Sequence, residues 1–479
     1  MKNKFYITTS IAYTNAPPHL GYALELVQAD VIARYRRILK NDVFFLTGTD
    51  EHGFKIQKKA ESVKKDPKEF VNELSRKFKK LLEILDISND DFIRTTDKKK
   101  HWVAVEKAWL ELKKNGDIYK KKYKGLYCQG CEAFVSKDDL VEGKCVNHNR
   151  EPQILEEENY FFKLSKYAKR VKKIIDEDKI KIIPEKRKNE IIAFINKGIE
   201  DISFSRPRDK IKWGIPVPDD KNQVIYVWAD ALLNYISAIG YSRDNKKFRK
   251  YWPADLHCIG KDIHRFHCLI WPAMLLALKL SLPKKVLIHG FINVNNRKMS
   301  KSLGNVVDPF DLVSRYGKDA VRYFLLREIP PTEDGDFTYD KFEKRYISDL
   351  ASGLGNLFLR VIVLAKKFNI NFNVKNISNH NLKKEIDKTK KEYKKLFEEF
   401  KFNKVLELVW GLIGFCDKYI EIKKPWEKGL RHKEVLSDLI LTIKEISKMI
   451  EPFLPETSKK IIHQLKNKEI RPLFPKINL

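Results

Sequence analysis

A chain of 479 residues, 43% of them hydrophobic, is too long for one ordinary core and calls for roughly two to four domains. Its 94 Lys and Arg against 64 Asp and Glu leave a formal charge of +30, which suits a polyanionic partner such as nucleic acid, or else merely solvates helix faces along a lysine-rich chain. No run of eighteen apolar residues occurs, and the start "MKNKFYITTS" has neither the apolar stretch nor the cleavage site of a secretory signal, so a membrane-spanning or secreted protein is set aside and a cytosolic one expected.

The first elements alternate. "KFYITTSIAY" is strand-like, "TNAPP" turns the chain, and Leu20, Leu24, Val27 and Val31 recur on one helix face before the apolar "VFFL" and "TGTDEHG". A β-α-β unit of this kind has a right-handed crossover and implies a parallel sheet that binds ligands at the carboxyl ends of its strands. From about 119 to 225 the rhythm breaks, beginning at "GLYCQGCEAF" and passing through a lysine-rich helical stretch to "KWGIPVP". This segment has the look of an insertion, because "QVIYVWADALLNYI", "DLHCIGKDIHRFHCLIWPAMLLAL" and "KKVLIHGFINV" then resume the alternation. After about 346, Leu354, Leu357, Val361 and Leu364 recur at helical spacing and a charged amphipathic run follows, as in an antiparallel helix bundle. The fold class expected is α/β: a parallel-sheet domain split by an insertion, followed by an all-α domain.

Cysteine usage separates into two kinds. Cys258, Cys268 and Cys416 stand alone among apolar residues and suit a core. Cys128-x2-Cys131 and Cys145-x2-His148 form two short knuckles thirteen residues apart, and three thiolates with one imidazole satisfy tetrahedral zinc with no open position, a structural site. A zinc ribbon that contacts nucleic acid has the same spacing.

"APPHLGYALELVQAD" follows a strand and opens a helix, where backbone amides and the positive helix terminus meet an anion; His19 can donate to a phosphate oxygen and Gly21 lets a base approach the backbone. Alone the signal is weak, since Pro-Pro before a helix is ordinary punctuation. In "VNNRKMSKSLGNVVDP", Lys298 and Lys301 bracket a turn with Ser300 and Ser302 between and behind them. Out of context this is a solvated surface loop, but two flexible ammonium groups also suit a triphosphate whose charge shifts during reaction.

Taken together, "HLG" (19 to 21) and "KMSKS" (298 to 302) resemble the two signature motifs of class I aminoacyl-tRNA synthetases. "TGTDEHG", "DISFSRPRDKIKWGIPVP", "YVWADALLNY", "GKDIHRFHCLIWPAM" and "KKPW" extend the resemblance, over essentially the whole chain, to the methionyl-tRNA synthetase family. It implies a Rossmann-like catalytic domain in two halves (1–118 and 226–295), a zinc-bearing connective insertion (119–225), the signature loop with a stem-contact region (296–345), and a helical anticodon-binding domain (346–479).

The residues carry over one by one. His19, Gly21, Tyr22, Lys298 and Lys301 would be catalytic, with Asp262, Ser300 and Ser302 also on ATP and Asp262 at its ribose. Ile11, Tyr13, Asp50, Trp228, Tyr235, Ile263, Phe266 and His267 would bind methionine, Asp50 taking the ammonium group and Tyr13 or His267 offering a hydrogen bond to sulfur. Arg206 would hold the activated substrate. Asn356, Arg360 and Trp426 would read the CAU anticodon by hydrogen bonds and stacking. Cys128, Cys131, Cys145 and His148 would hold zinc, His148 rather than Asn147 being the fourth ligand. Two positions depart from the family pattern: Tyr22 stands in place of its second histidine and Leu232 where it often has proline.

What the resemblance implies is a cytoplasmic enzyme that uses ATP with Mg²⁺, L-methionine and tRNA(Met), and no membrane; a monomer is expected because "PLFPKINL" is not followed by the C-terminal dimerisation module that some relatives carry. A synthetase for another apolar amino acid would need an editing domain, because one methylene discriminates by only about 1–3 kcal/mol, and the chain has no room for one. A non-catalytic tRNA-binding paralogue would be expected to lose signature residues, and His19, Gly21, Lys298 and Lys301 all remain.

Overall fold

The computed structural model describes residues 3–130, 133–135, 140–146, 149–299, 304–372, 376–427 and 432–475. The chain forms two compact units, one of Met1–Pro18, Arg36–Leu81 and Ser88–His289, the other of His19–Tyr35, Leu82–Ile87 and Gly290–Leu479.

The first unit is built on a parallel sheet. Strand Lys4–Thr9 lies between Asp42–Asp50 and Leu256–Gly260, and Lys285–His289 then Lys181–Ile183 continue outward, every neighbour parallel. The short strands Ala12–Tyr13 and Asp91–Arg94 pair with Asp42–Asp50, again parallel. Apolar runs such as Tyr6–Ile7, Phe44–Leu46 and Val286–Ile288 are buried throughout, which is what a sheet covered on both faces requires.

The outermost strand comes from an unexpected place. Lys181–Ile183 falls inside the 119–225 segment and pairs residue for residue with Lys285–Leu287; three residues are too few for periodicity to announce a strand. The rest of that segment is largely antiparallel, with a four-stranded sheet ordered Ile202–Ser203, Gln153–Phe162, Ile118–Cys128, Ala133–Val135. In its long central pair Lys122 stands opposite Glu158 and Lys124 opposite Glu156. The basic run "YKKKYK" is therefore faced by acids across the ladder, an arrangement that stabilises the pairing and removes much of the positive patch the sequence presents.

In the second unit Leu20, Leu24, Val27 and Val31 are fully buried as their spacing predicts, but Glu25, Gln28 and Asp30 are buried too. The helix beginning at Leu20 is enclosed rather than amphipathic, and its polar groups are met individually. Asp30 Oδ2 receives Arg34 Nε at 2.7 Å and Arg322 at 2.8 Å. Arg322, with no exposed surface, also donates to the carbonyls of Leu85, Pro452 and Phe453. Gln28 donates to the Pro331 carbonyl.

Beyond Gly335–Phe337 the described residues are helical or irregular, with long helices at Asn356–Lys367, His380–Glu398, Phe402–Lys423, His432–Ile450 and Pro455–Asn467. The run Tyr339–Lys367 is long and apolar enough by composition to cross a bilayer. Tyr346, Leu350, Leu354, Leu357, Phe358, Val361 and Ile362 along it are buried, whereas Tyr339, Ile347 and Val363 are exposed, so the run packs on one side.

Candidate active site

The HLG turn is a small device for orienting one imidazole. The Gly21 amide donates to His19 Nδ1 at 3.1 Å, so in neutral His19 the proton sits on Nε2. A Cβ at Gly21 would lie 2.9 Å from His19 Cε1, closer than such atoms approach, so only glycine leaves the ring where it is. That same position is 3.7 Å from Cε of Met299. The methionine of the second signature is thus brought to the glycine of the first.

Local chemistry explains how. Ile292–Val294 and Arg297–Lys298 form a hairpin whose two-residue turn, Asn295-Asn296, has φ of 52° and 58°, the left-handed pair that a type I′ turn demands and asparagine tolerates. Asp336 accepts from the Asn296 amide at 2.6 Å and fixes the turn to the neighbouring strand Gly335–Phe337. The backbone of Lys298 belongs to this hairpin. Its side chain, and Ser300, Lys301 and Ser302 entirely, lie outside the described residues. Tyr22 follows on the first turn of the helix, its amide bonded to the His19 carbonyl at 3.0 Å.

The residues expected to hold the amino acid all fall in the first unit, in two groups. Tyr13 pairs with Asp50 across the two adjacent parallel strands, and both the amide and the hydroxyl of Thr14 donate to the Asp50 carbonyl, at 2.9 and 3.0 Å. Gly48 has no room for a Cβ, which would stand 3.0 Å from Ile11 Cγ2 and 2.1 Å from the Ile93 carbonyl. Trp228 and Phe266 stack at 3.8 Å, with His267 edge-on to Trp228 at 6.3 Å. Ile11, Tyr13, Trp228, Ile263 and Phe266 are partly buried around a core that contains Tyr235. Leu232, at the end of the short helix carrying Trp228, is buried.

His267 is bonded on both sides of its ring. Its Nδ1 meets the Ile263 carbonyl at 3.0 Å and its Nε2 meets the Tyr235 hydroxyl at 2.7 Å. A carbonyl only accepts, so Nδ1 carries the proton and Nε2 accepts from Tyr235. Burial lowers its pKa to about 4 and keeps the ring neutral. Both ring nitrogens are engaged with these two partners. Beneath them His257, also pushed to a low pKa by burial, bonds Thr8 at 2.7 Å.

Asp262 is exposed on the short turn Lys261–Ile263 after strand Leu256–Gly260, at the carboxyl edge of the sheet. Its Oδ1 lies 2.8 Å from where a Cβ on Gly260 would be, so glycine is needed there as well. Arg206 is buried, donating to Ser203 Oγ and the Ser205 carbonyl at 2.7 Å each, with its guanidinium 4.6 Å from the Tyr226 ring. In the other unit Arg360 pairs with Glu421 at 2.8 Å and lies 5.8 Å from the Trp426 ring. Asn356, one turn earlier on the same helix face, is exposed, as is Trp426.

Of the cysteine cluster, Cys128 and Cys145 are both buried; Cys131 and His148 lie outside the described residues. The chain folds back around Cys145, whose amide donates to the Arg150 carbonyl and whose carbonyl accepts from Asn149 at 2.7 Å. Two buried thiols, one of them in a tight backbone knuckle, fit a structural zinc by donor chemistry. Among the described residues there is no cluster of three metal-ligating side chains.

No role for His52, His101 or Asp230 follows from the sequence alone. His52 and Asp230 lie inside the quoted stretches "TGTDEHG" and "YVWADALLNY", while His101 sits in "DKKKHWVAV", a run indistinguishable from a basic surface.

A parallel sheet with Asp50 and Asp262 at the carboxyl ends of its strands and two signature motifs brought together define a class. Residues 5–151 and 129–362 match the family model described as tRNA synthetases class I (M), and 379–477 match an anticodon-binding domain of tRNA ligases. The chain is 44% identical to methionine–tRNA ligase of Thermotoga maritima over 97% of its own length and 76% of that protein. It is 42% identical to the Bacillus subtilis enzyme over 97% and 73%. Among solved structures, methionyl-tRNA synthetase of Mycobacterium tuberculosis in complex with methionyl-adenylate superposes with a TM-score of 0.92 at 36% identity, covering 99% of this chain and all of that one. Its apo form gives 0.83 at 34%, over 96% and 92%. The chain belongs to the methionine–tRNA ligase family.

Proposed function

We propose that the protein activates L-methionine with ATP and transfers it to the 3′-terminal adenosine of tRNA(Met) in the cytoplasm. A carboxylate oxygen of methionine attacks the α-phosphorus of ATP, the bond to the β-phosphate breaks, and pyrophosphate leaves. A ribose hydroxyl of the tRNA then attacks the carbonyl carbon of the adenylate, releasing AMP and a proton. No protein nucleophile takes part, and rate comes from positioning and electrostatics.

The observation that carries this reading is the approach of Met299 to Gly21, because it is what two signature motifs of one polyphosphate site require. His19 donates from Nε2 to a phosphate oxygen, with the Tyr22 hydroxyl beside it. Lys298 and Lys301, with Ser300 and Ser302, close on the leaving pyrophosphate and release it; Mg²⁺ enters with ATP and neutralises its charge. Asp262 bonds the ribose and Arg206 steadies the activated substrate. Asp50 takes the ammonium group, while Ile11, Tyr13, Trp228, Tyr235, Ile263 and Phe266 form an apolar, polarizable wall for an unbranched thioether, with His267 locking Tyr235. Asn356, Arg360 and Trp426 contact the anticodon. Cys128, Cys131, Cys145 and His148 hold one zinc, which stabilises the hairpin that carries them.

Amino-acid-dependent exchange of pyrophosphate into ATP, run against all twenty amino acids, tests the assignment. Exchange with methionine alone is the expected result; exchange with isoleucine, leucine or valine instead, or with none, overturns it.

A further inference from the structure

A carboxylate with no exposed surface ties the segment that carries Asp50 to the helix that carries Trp228. Asp230 is fully buried, and each of its oxygens is taken by a different imidazole: Oδ2 is 2.7 Å from His52 Nδ1, and Oδ1 is 2.6 Å from His101 Nε2. His101 continues through Nδ1 to Ser237 Oγ at 2.8 Å. The three segments so joined are distant in sequence. His52 stands two residues beyond Asp50 at the end of a central strand, Asp230 two residues beyond Trp228 on the helix Val227–Ala231, and His101 on the turn Lys98–Trp102.

A lone buried carboxylate would be driven toward its neutral form. Burial works to raise its pKa, but the charge of His52 and the hydrogen bonds from both imidazoles outweigh it, and the group is held below the usual carboxylate range. His52 is itself held edge-on by Trp102 and Trp213, at 5.8 and 5.7 Å. The network has little freedom to relax, so the separation of Asp50 from the Trp228–Phe266 stack depends on it.

We propose that Asp230 is a positioning residue for the amino-acid pocket: its carboxylate, clamped between His52 and His101, holds the ammonium-binding end at a fixed distance from the aromatic wall. It touches no substrate. The inference rests on the reading of Asp50 and Trp228 given above, and it concerns methionine affinity rather than the phosphate chemistry.

The test is pyrophosphate exchange with D230N, H101A and H101Q, each checked for folding by its melting transition. D230N keeps the size of the side chain but turns one acceptor into a donor facing an imidazole N–H, and is expected to raise the methionine KM by about tenfold or more while the ATP KM stays within about twofold. H101A is expected to do the same. H101Q, whose amide puts a donor near the place of Nε2, should recover most of that loss. Folded D230N with an unchanged methionine KM overturns the inference, as does an equal rise in both KM values. Should D230N not fold, the H101A and H101Q pair decides in the same way, unchanged methionine KM or failure of glutamine to rescue being the adverse results. Wild-type enzyme that activates no methionine removes the functional reading itself, whereas methionine-active wild type with indifferent variants removes only the role of Asp230.

Discussion

At Gly21 stability and activity separate cleanly. A methyl group there meets the far end of the His19 side chain, which can swing away at little cost, so G21A should change folding stability by less than about 1 kcal/mol. The swing breaks the amide bond that selects the Nε2 donor. Exchange should therefore slow by about tenfold or more, with methionine KM unchanged; steady-state exchange together with a thermal melt checks both halves. His267 gives a prediction of a different kind. Its folded pKa, about 4, lies below the value near 6.5 of an unfolded histidine, so the unfolded chain binds the proton more readily. The stability this contributes, roughly 3 kcal/mol, is fully present above pH 6.5 and lost as pH falls toward 4. A melting curve followed from pH 7 to 4.5 should fall less steeply in H267Q than in wild type.

The motif residues were legible because phosphate chemistry demands histidine, glycine and lysine at set spacing; their geometry was not. Nothing in "HLG" says which ring nitrogen keeps the proton. Nothing in the sequence separates His267 as a ligand donor from His267 as a brace for Tyr235, because that depends on the Ile263 carbonyl. His101 and Arg322 were illegible for one shared reason: a basic side chain is expected at the surface until the fold supplies its buried partners.

Among elements, the helix beginning at Leu20 shows where periodicity stops being informative. Four apolar positions identified the helix, but its other faces are buried as well, and their polar groups are met by Arg322 at Asp30, the Pro331 carbonyl at Gln28 and Asp86 at Arg34. R322M should cost about 3–5 kcal/mol, since it strips a partner from buried Asp30, and it leaves three carbonyls without their donor. In a double-mutant cycle with D30N, read by chemical denaturation, the pair should cost less than the sum of the single changes. The hairpin of Cys128 and Cys145 makes another prediction. Metal analysis of the purified protein should find one zinc per chain, reduced to background in C145A. Chelation should loosen this hairpin, seen as faster amide exchange over residues 118–162, before it unfolds the parallel sheet.

For the molecule as a whole, activation and anticodon reading are separable chemistry. The two signature motifs share a unit with Trp426 and Arg360, but pyrophosphate exchange without tRNA uses no anticodon contact, so W426A should raise the tRNA KM in aminoacylation by about tenfold or more and leave that exchange within about twofold of wild type. Equal losses in both assays would contradict that division.

The strand Lys181–Ile183 sets a limit on anyone who would trim this protein. It is the border of the parallel sheet, yet it arrives from a segment that otherwise builds antiparallel structure. Excising 119–225 as a cassette would strip that border and bare the backbone of Lys285–His289 to neighbouring molecules, an invitation to aggregate. A cut confined to the tip beyond the Tyr127–Gln153 pairing leaves the border in place, and miniaturisation should begin there.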